Sequence, residues 1–385
     1  MTPAARIATA IELLDEIFAG VPAEKCLTGW GRRNRFAGSK DRAAVRDHVF
    51  DGLRQRASAA QAGGSADGRG VMIGVLRLSG VDPESMFTGE GYAASVLSDE
   101  ERDVQTDDVR PLDVPAWLVD PLRDSLADEF DTTMDAIRAR APVSLRVNLR
   151  KASISEAQAQ LREDGVETVP LSLADTALQV VQGPRRVAQS AAYRDGLVEL
   201  QDASSQAAVA SLSLRNNMKI MDYCAGGGGK TLAMAALCDG QYFAHDANPV
   251  RLRDLPARAE RAGISVQTLE DASSEAPYDL VFCDVPCSGS GTWRRTPDAK
   301  WRFTQEDLSE LTDLQAEILT KAAGLVAQNG TLVYATCSLL QAENENQLAQ
   351  FVKTHGDWTV IASRRYPMNS DGDGFFVAQF RRESA

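Results

Sequence analysis

The sequence predicts an α/β protein: a doubly wound parallel sheet in the C-terminal half, an all-helical region at the start, and a small α+β unit between them. Three observations carry this. Beyond about residue 200, short apolar runs alternate with segments of helical period, the pattern of strands joined by crossover helices. Within that stretch "KIMDYCAGGGGKTLAMAAL" has the form strand, glycine turn, helix. Before about residue 140 the periodicity is helical. A chain of 385 residues is too long for one core, and the expected division is 1–140, 141–200 and 201–385.

Taken in order, Ile7, Ile11, Leu14, Ile17 and Phe18 fall on one helical face, which predicts an amphipathic helix over 3–19. Glu12, Asp15 and Glu16 interrupt its apolar residues, so it does not read as a signal peptide. Further helices are expected at 40–62, 84–96 and 115–139, with a loop or frayed helix end at 59–70 and an acidic, solvated connection at 98–115. In the middle unit "VSLRVNLRK" predicts a strand, "SISEAQAQLREDG" a capped helix and "ALQVV" a second strand. Strands follow at 218–223, 241–246, 264–269, 279–284 and 330–336, and helices at 229–238, 249–262, 306–328 and 341–354. "WTVIAS" and "GFFVAQF" close the sheet as a pair. Pro256 lies inside one of these helices and should kink or shorten it.

Composition narrows the class. With 44% apolar and 25% charged residues, and no run of 18 apolar residues, the chain predicts a soluble globular protein without a membrane span. Six cysteines without framework spacing predict reduced thiols and a cytoplasmic address. Cys283 and Cys287 lack a nearby second pair, and no metal is expected. A formal net charge of −13 excludes nucleic-acid binding through bulk charge and leaves local basic patches. Three such patches are present: Arg32, Arg33 and Arg35; Arg146, Arg150 and Lys151; and Arg294, Arg295, Lys300 and Arg302. Each also reads as an ordinary solvated charged face.

The glycine turn comprises Cys224, Ala225, Gly226, Gly227, Gly228, Gly229 and Lys230. A P-loop needs a glycine where Cys224 stands, and a nicotinamide fingerprint needs one where Thr231 stands. S-adenosylmethionine binds in the same crevice at the carboxyl ends of strands and predicts an acidic residue after the second strand to meet the ribose hydroxyls. "YFAHDANP" supplies Asp246 there, and "LEDAS" supplies Asp271 after the third strand, near the adenine edge. Either aspartate can equally cap a helix. By itself the loop leaves S-adenosylmethionine and a nicotinamide cofactor both open.

Two cysteines narrow the choice. "LVFCDVPCSGSG" delivers Asp284 and Cys287 to the carboxyl end of one strand, and "GTLVYATCS" delivers Cys337 to the end of the next. Carbon 5 of a pyrimidine is too weak a nucleophile to take a methyl group from a sulfonium. A thiolate adding to carbon 6 makes carbon 5 enamine-like, while a carboxyl group such as that of Asp284 stabilises charge at the ring nitrogen. A second thiol can assist the elimination that follows.

"DVPCSGSGTWRRTPDAKW", "LVYATCSLLQAENENQ", "MDYCAGGGGKT" and "YRDGLVELQDASSQ" together resemble the RNA cytosine-5 methyltransferases of the Fmu/Sun (RsmB-like) family, over about residues 142–380. The resemblance implies a class I S-adenosylmethionine-dependent methyltransferase core, Rossmann-like, in which Cys337 attacks the base and Cys287 frees the product. It implies that the loop 224–230 and Asp284 bind the cofactor with Asp246 at the ribose and Asp271 at the adenine. "GSKDRAAVRDHVFDGLR" (38–54) is similar to the NusB-like RNA-binding domain of the 16S ribosomal RNA members. "SLRVN" resembles the family's RNA-side subdomain, which makes Arg146 and Asn148 candidate RNA contacts; Arg294 and Arg295, following the Cys287 loop, are candidate phosphate contacts. A monomer is expected. A tRNA methyltransferase, and an RNA-binding assembly factor with weakened activity, remain alternatives. The family's loop reads C-A-A-P-G-G-K, and Gly226 and Gly227 replace its alanine and proline, which predicts a larger ordering cost of about 1 kcal/mol and weaker cofactor affinity.

Overall fold

The chain forms two compact units in the computed structural model, which describes residues 1–105 and 109–383: one helical and one with both helices and strands. Residues 106–108 of the expected acidic connection, and the last two residues of the expected C-terminal domain, lie outside the described residues. The first unit comprises Met1–Arg123, Phe130–Arg140 and Trp293–Thr304; the second comprises Asp124–Glu129, Ala141–Thr292 and Gln305–Ala385. The short segment 293–304, which the sequence places in the C-terminal domain, therefore groups with the helices.

In the first unit the helix Pro3–Phe18 begins where the Thr2 side chain accepts from the amide of Ala5, and it buries Ile7, Leu13, Leu14 and Ile17. It packs on the helices Ser39–Arg54 and Gly68–Leu78 around Val45, Val49, Leu53, Val71 and Ile73. One expectation fails here: residues 84–96 form no helix beyond a 3-10 turn at Pro83–Ser85. The loop or frayed helix end expected at 59–70 is the end of the helix Arg56–Gly63, a short turn and the start of the helix Gly68–Leu78. The glycines there are packing residues. A Cβ on Gly63 would sit 1.7 Å from the carbonyl oxygen of Gly70, and one on Gly74 would sit 1.9 Å from that of Ala59. Glycine is what lets these two backbones touch.

The segment 293–304 is bound to this unit through its polar groups. Arg54 Nε donates to the Arg294 carbonyl (2.7 Å), Lys300 Nζ to the Arg54 carbonyl (3.0 Å) and Trp301 Nε1 to the Leu53 carbonyl (2.7 Å). Lys300 is fully buried, and burial pulls its ammonium down to about 7.

The second unit holds two sheets. In chain order the strands are β1 (Val143–Val147), β2 (Glu167–Pro170), β3 (Ala177–Gln182), β4 (Val198–Leu200), β5 (Met218–Asp222), β6 (Gly240–Ala244), β7 (Gln267–Thr268), β8 (Tyr278–Asp284), β9 (Val326–Thr336), β10 (Trp358–Tyr366) and β11 (Phe375–Arg382). The small sheet has the order β2-β3-β1-β4 and is antiparallel throughout. The large sheet has the order β10-β11-β9-β8-β5-β6-β7, parallel from β9 to β7, with β11 antiparallel to both neighbours. This is the doubly wound Rossmann-like core expected from the sequence.

Alternation along the strands supplies both faces of the large sheet. Ile220, Leu280, Phe282, Val333 and Ala335 join one core with the helices Ala203–Ala210 and Gly229–Leu237. Met221, Val281, Cys283, Leu332 and Tyr334 join the other, against the helices Gln305–Ala323 and Glu345–Thr354. Pro256 starts a short helix, Leu255–Ala262, after a 3-10 turn at Pro249–Leu252, so the proline shortens the element as expected. Four parallel strands thus release their chains on one edge, where Asp222, Asp246, Asp284 and Cys337 emerge.

Candidate active site

β5 ends in the buried Asp222, and the chain turns through Cys224–Gly228 into the helix Gly229–Leu237. Gly226 (φ +51°) and Gly228 (φ +78°) are left-handed, and a Cβ on Gly228 would lie 2.2 Å from Leu255 Cδ1. The amide of Gly226 donates to Asp246 Oδ2 (2.9 Å), so the carboxylate after β6 fixes the turn after β5. Asp246 also accepts from the amide of Asn248 (2.9 Å) and pairs with Arg251 (3.2 Å).

Leu200, Gln201, Asp222, Cys224, Ala225, Gly226, Gly227, Gly229, Lys230, Arg251, Arg258 and Asp284 border a cavity of about 280 Å³. Lys230 Nζ donates to Asp284 Oδ2 at 2.6 Å and lies 5.1 Å from the Phe375 ring centroid. Burial alone would lower the Lys230 ammonium, but the charge and hydrogen bond of Asp284 outweigh it and hold it above its ordinary value. Asp222 behaves in the opposite way. Burial lifts its carboxyl to about 7, against the hydrogen bond it accepts from Thr231 Oγ1 (2.6 Å).

Two buried acceptors on this wall, Asp222 Oδ1 and Gln201 Oε1, have no hydrogen-bond partner among the described residues. Unpaired acceptors in a glycine-lined cavity fit the ammonium group of an amino acid, such as the methionine end of S-adenosylmethionine. Asp222 and Gln201 were not singled out in the sequence, although Asp222 stands in "MDYCAGGGGK", directly before the turn. Asp271 is exposed and caps the 3-10 turn Ala272–Glu275; the amide and hydroxyl of Ser273 hold its carboxyl below the ordinary range.

Beside this cavity β8 and β9 bring the two thiols together, with Cys287 Sγ 3.4 Å from Cys337 Sγ. The hydrogen bond to Cys337, then burial and the neighbouring Glu343, push the Cys287 thiol well above its ordinary value. The loops that carry the cysteines are joined by hydrogen bonds: Gly291 N to the Cys337 carbonyl (2.8 Å) and Leu339 N to Ser290 Oγ (2.8 Å).

Three of the expected RNA contacts are not surface groups. Arg146 is 4% exposed and donates to the Leu232 carbonyl (3.3 Å), and burial lowers its guanidinium to about 10. Asn148 is buried and donates to the carbonyls of Gly196 (3.3 Å) and Ala262 (2.9 Å), fastening the end of β1 to the end of the helix Leu255–Ala262. Arg294 is 2% exposed within the helical unit. These side chains are engaged inside the protein, which corrects their assignment as RNA contacts. Arg295 is half-buried.

Residues 209–381 match the family model described as 16S rRNA methyltransferase RsmB/F, and residues 114–188 match the RsmF/B-like ferredoxin-like domain. The chain belongs to the RsmB/F methyltransferase family. Among RsmB/F relatives, ribosomal RNA small subunit methyltransferase B of Citrobacter koseri is 33% identical over 69% of the chain and 65% of its own length. The chain thus aligns with just under two thirds of that relative. Two solved structures share the fold: that of the protein PH0851 (TM-score 0.77, 23% identity, 100% of this chain and 99% of that one) and a methyltransferase homologue from Pyrococcus horikoshii (TM-score 0.59, 24% identity, 70% of this chain and 100% of that one).

Proposed function

We propose that this RsmB/F-family protein transfers a methyl group from S-adenosylmethionine to carbon 5 of a cytosine in RNA, with 16S ribosomal RNA as the substrate. The observation that carries the reading is the contact of Cys287 with Cys337 at 3.4 Å, at the mouths of two adjacent strands beside the Lys230–Asp284 pair. A lone buried cysteine is common in cores, but two in contact at a ligand crevice match covalent catalysis. The family and its small-subunit methyltransferase relatives supply the RNA.

Bound in the cavity, the cofactor supplies an electrophilic methyl group on a sulfonium. Lys230 and the turn 224–230 would hold its methionine end with Asp222 and Gln201, and Asp246 and Asp271 would serve its ribose and adenine. Cys337, as thiolate, would form a bond to carbon 6 of the cytosine; the electron pair moves to carbon 5 as a proton passes from the Lys230 ammonium through Asp284 to the ring nitrogen. Carbon 5 would take the methyl group as its bond to the sulfonium breaks, leaving a neutral thioether. Loss of its proton to a base then restores the 5,6 double bond and expels the Cys337 sulfur, a step that Cys287 assists. Residues 1–140 are assigned to RNA binding, 141–200 to a small RNA-side subdomain and 201–385 to methyl transfer.

Trapping tests the assignment. Cys287→Ala incubated with S-adenosylmethionine and small-subunit RNA is expected to give a slow-migrating protein–RNA adduct on a denaturing gel, absent from wild type and from Cys287→Ala/Cys337→Ala. An adduct that persists in the double variant would overturn the role of Cys337. No adduct, with cofactor binding intact, would overturn the choice of RNA.

A further inference from the structure

We propose that Glu343 is the positioning residue of the thiol pair: its single carboxylate ties the Cys287 loop to the Cys337 loop and places a negative charge beside Cys287. The proposal rests on the thiol chemistry set out above and assigns to it a residue that makes no contact with the cavity wall.

Glu343 is fully buried, in the 3-10 turn Gln341–Glu343 after β9. Oε1 accepts from the amide of Ser288 at 2.7 Å and from Gln315 Nε2 at 3.0 Å. Oε2 accepts from Ser288 Oγ at 2.5 Å and from Ser338 Oγ. Ser288 follows Cys287 and Ser338 follows Cys337, so one carboxylate holds the chain immediately after each sulfur. Gln315 adds a third tie, because Nε2 also donates to the Pro286 carbonyl (2.9 Å). The Tyr334 hydroxyl anchors the turn by donating to the Glu343 carbonyl (2.6 Å).

Every one of these donors is neutral, and a buried carboxylate among neutral donors is costly to maintain. A tie alone needs no charge; an amide would serve. The charge has a consequence at the sulfurs. Cys287 is faced by Cys337, Glu343, Tyr334 and the amide of Gly289, and Glu343 is among the groups that raise its thiol. Cys337 instead interacts with the Lys230 ammonium. The anion beside Cys287 helps keep it as thiol, so the two sulfurs differ in their surroundings before RNA arrives.

Glu343→Gln and Glu343→Ala in the full chain separate tie from charge. Glutamine keeps an acceptor for the Ser288 amide and Gln315, and its amide can donate to the serine hydroxyls, so Glu343→Gln should melt within a few degrees of wild type. Peptide-resolved alkylation by iodoacetamide across pH is expected to show Cys287 reacting about tenfold faster at a given pH in Glu343→Gln, with the Cys337 profile unmoved. Mild oxidation with diamide, which joins the two thiols with loss of two hydrogens to the diazene, is expected to cross-link Glu343→Gln as fast as wild type and Glu343→Ala at least about fivefold more slowly. An unshifted Cys287 profile in Glu343→Gln, or unchanged cross-linking in Glu343→Ala, would overturn the proposal. The RNA adduct of Cys287→Ala, with Glu343 intact, reads the thiol chemistry separately: adduct with no Glu343 effect sinks only the positioning role, and a Glu343 effect with no adduct sinks only the proposed reaction.

Discussion

Asp222 brings a fully buried carboxylate to the cavity wall, with one oxygen on Thr231 and the other without a partner. Its folded-state value of about 7 lies above the ordinary 3.8, so the folded protein binds the proton more tightly than the unfolded chain. Stability from this group is therefore complete below the unfolded value and is lost as pH rises towards about 7. Asp222→Asn removes the ionisation and keeps an acceptor for Thr231. Its stability relative to wild type, from urea unfolding, should be higher near pH 8 than near pH 5, by an upper bound of roughly 2 to 3 kcal/mol. Equal differences at both pH values would mean that Asp222 ionises freely in the fold. At this scale, legibility followed chemistry. Cys287, Cys337 and Asp284 could be read from the sequence because they stand at or just beyond strand ends, and Lys230 because it follows the glycine turn. Arg146, Asn148 and Arg294 could not, because a basic or amide side chain looks the same in a sequence whether it meets phosphate or an internal carbonyl.

The elements were read well where periodicity and length agree. Strands expected at 218–223, 279–284 and 330–336 appear as β5, β8 and β9, and the helix expected at 229–238 is Gly229–Leu237. The helix expected at 84–96 is reduced to the 3-10 turn Pro83–Ser85. At 59–70 glycine reads as punctuation, but Gly63, Gly70 and Gly74 also form the seam between two touching helices. Propensity argues against helix at glycine by about 1 kcal/mol each, and the close approach outweighs it. Gly74→Ala improves helix propensity but places a methyl group 1.9 Å from the Ala59 carbonyl oxygen. It should therefore destabilise the helical unit, by more than about 2 kcal/mol in chemical unfolding. A neutral or stabilising result would show that the seam relaxes and that propensity governs it.

Charge belongs to the whole molecule. A net charge of −13 repels a polyanion at long range, so the proposed RNA affinity must come from few ionic contacts together with specific ones. Two of the three basic patches are largely committed internally. Arg146, Arg294 and Lys300 are buried, while Arg150 holds the carbonyls of Ala235 and Cys238 and the carboxylate of Asp239. Arg32, Arg33 and Arg35, beside the turn that ends the helix Ala23–Arg33, remain exposed. If these three carry the ionic part of binding to single-stranded RNA, the log–log slope of affinity against salt is about −2, at roughly 0.7 per phosphate contact. A bulk-charge binder would show a slope several times steeper. Replacing all three arginines with alanine should flatten the slope towards zero and weaken binding most at low salt, measured by filter binding over a salt series. A steep slope in wild type, or a triple variant with an unchanged one, would move the ionic contacts to other basic groups and leave this patch an ordinary solvated face.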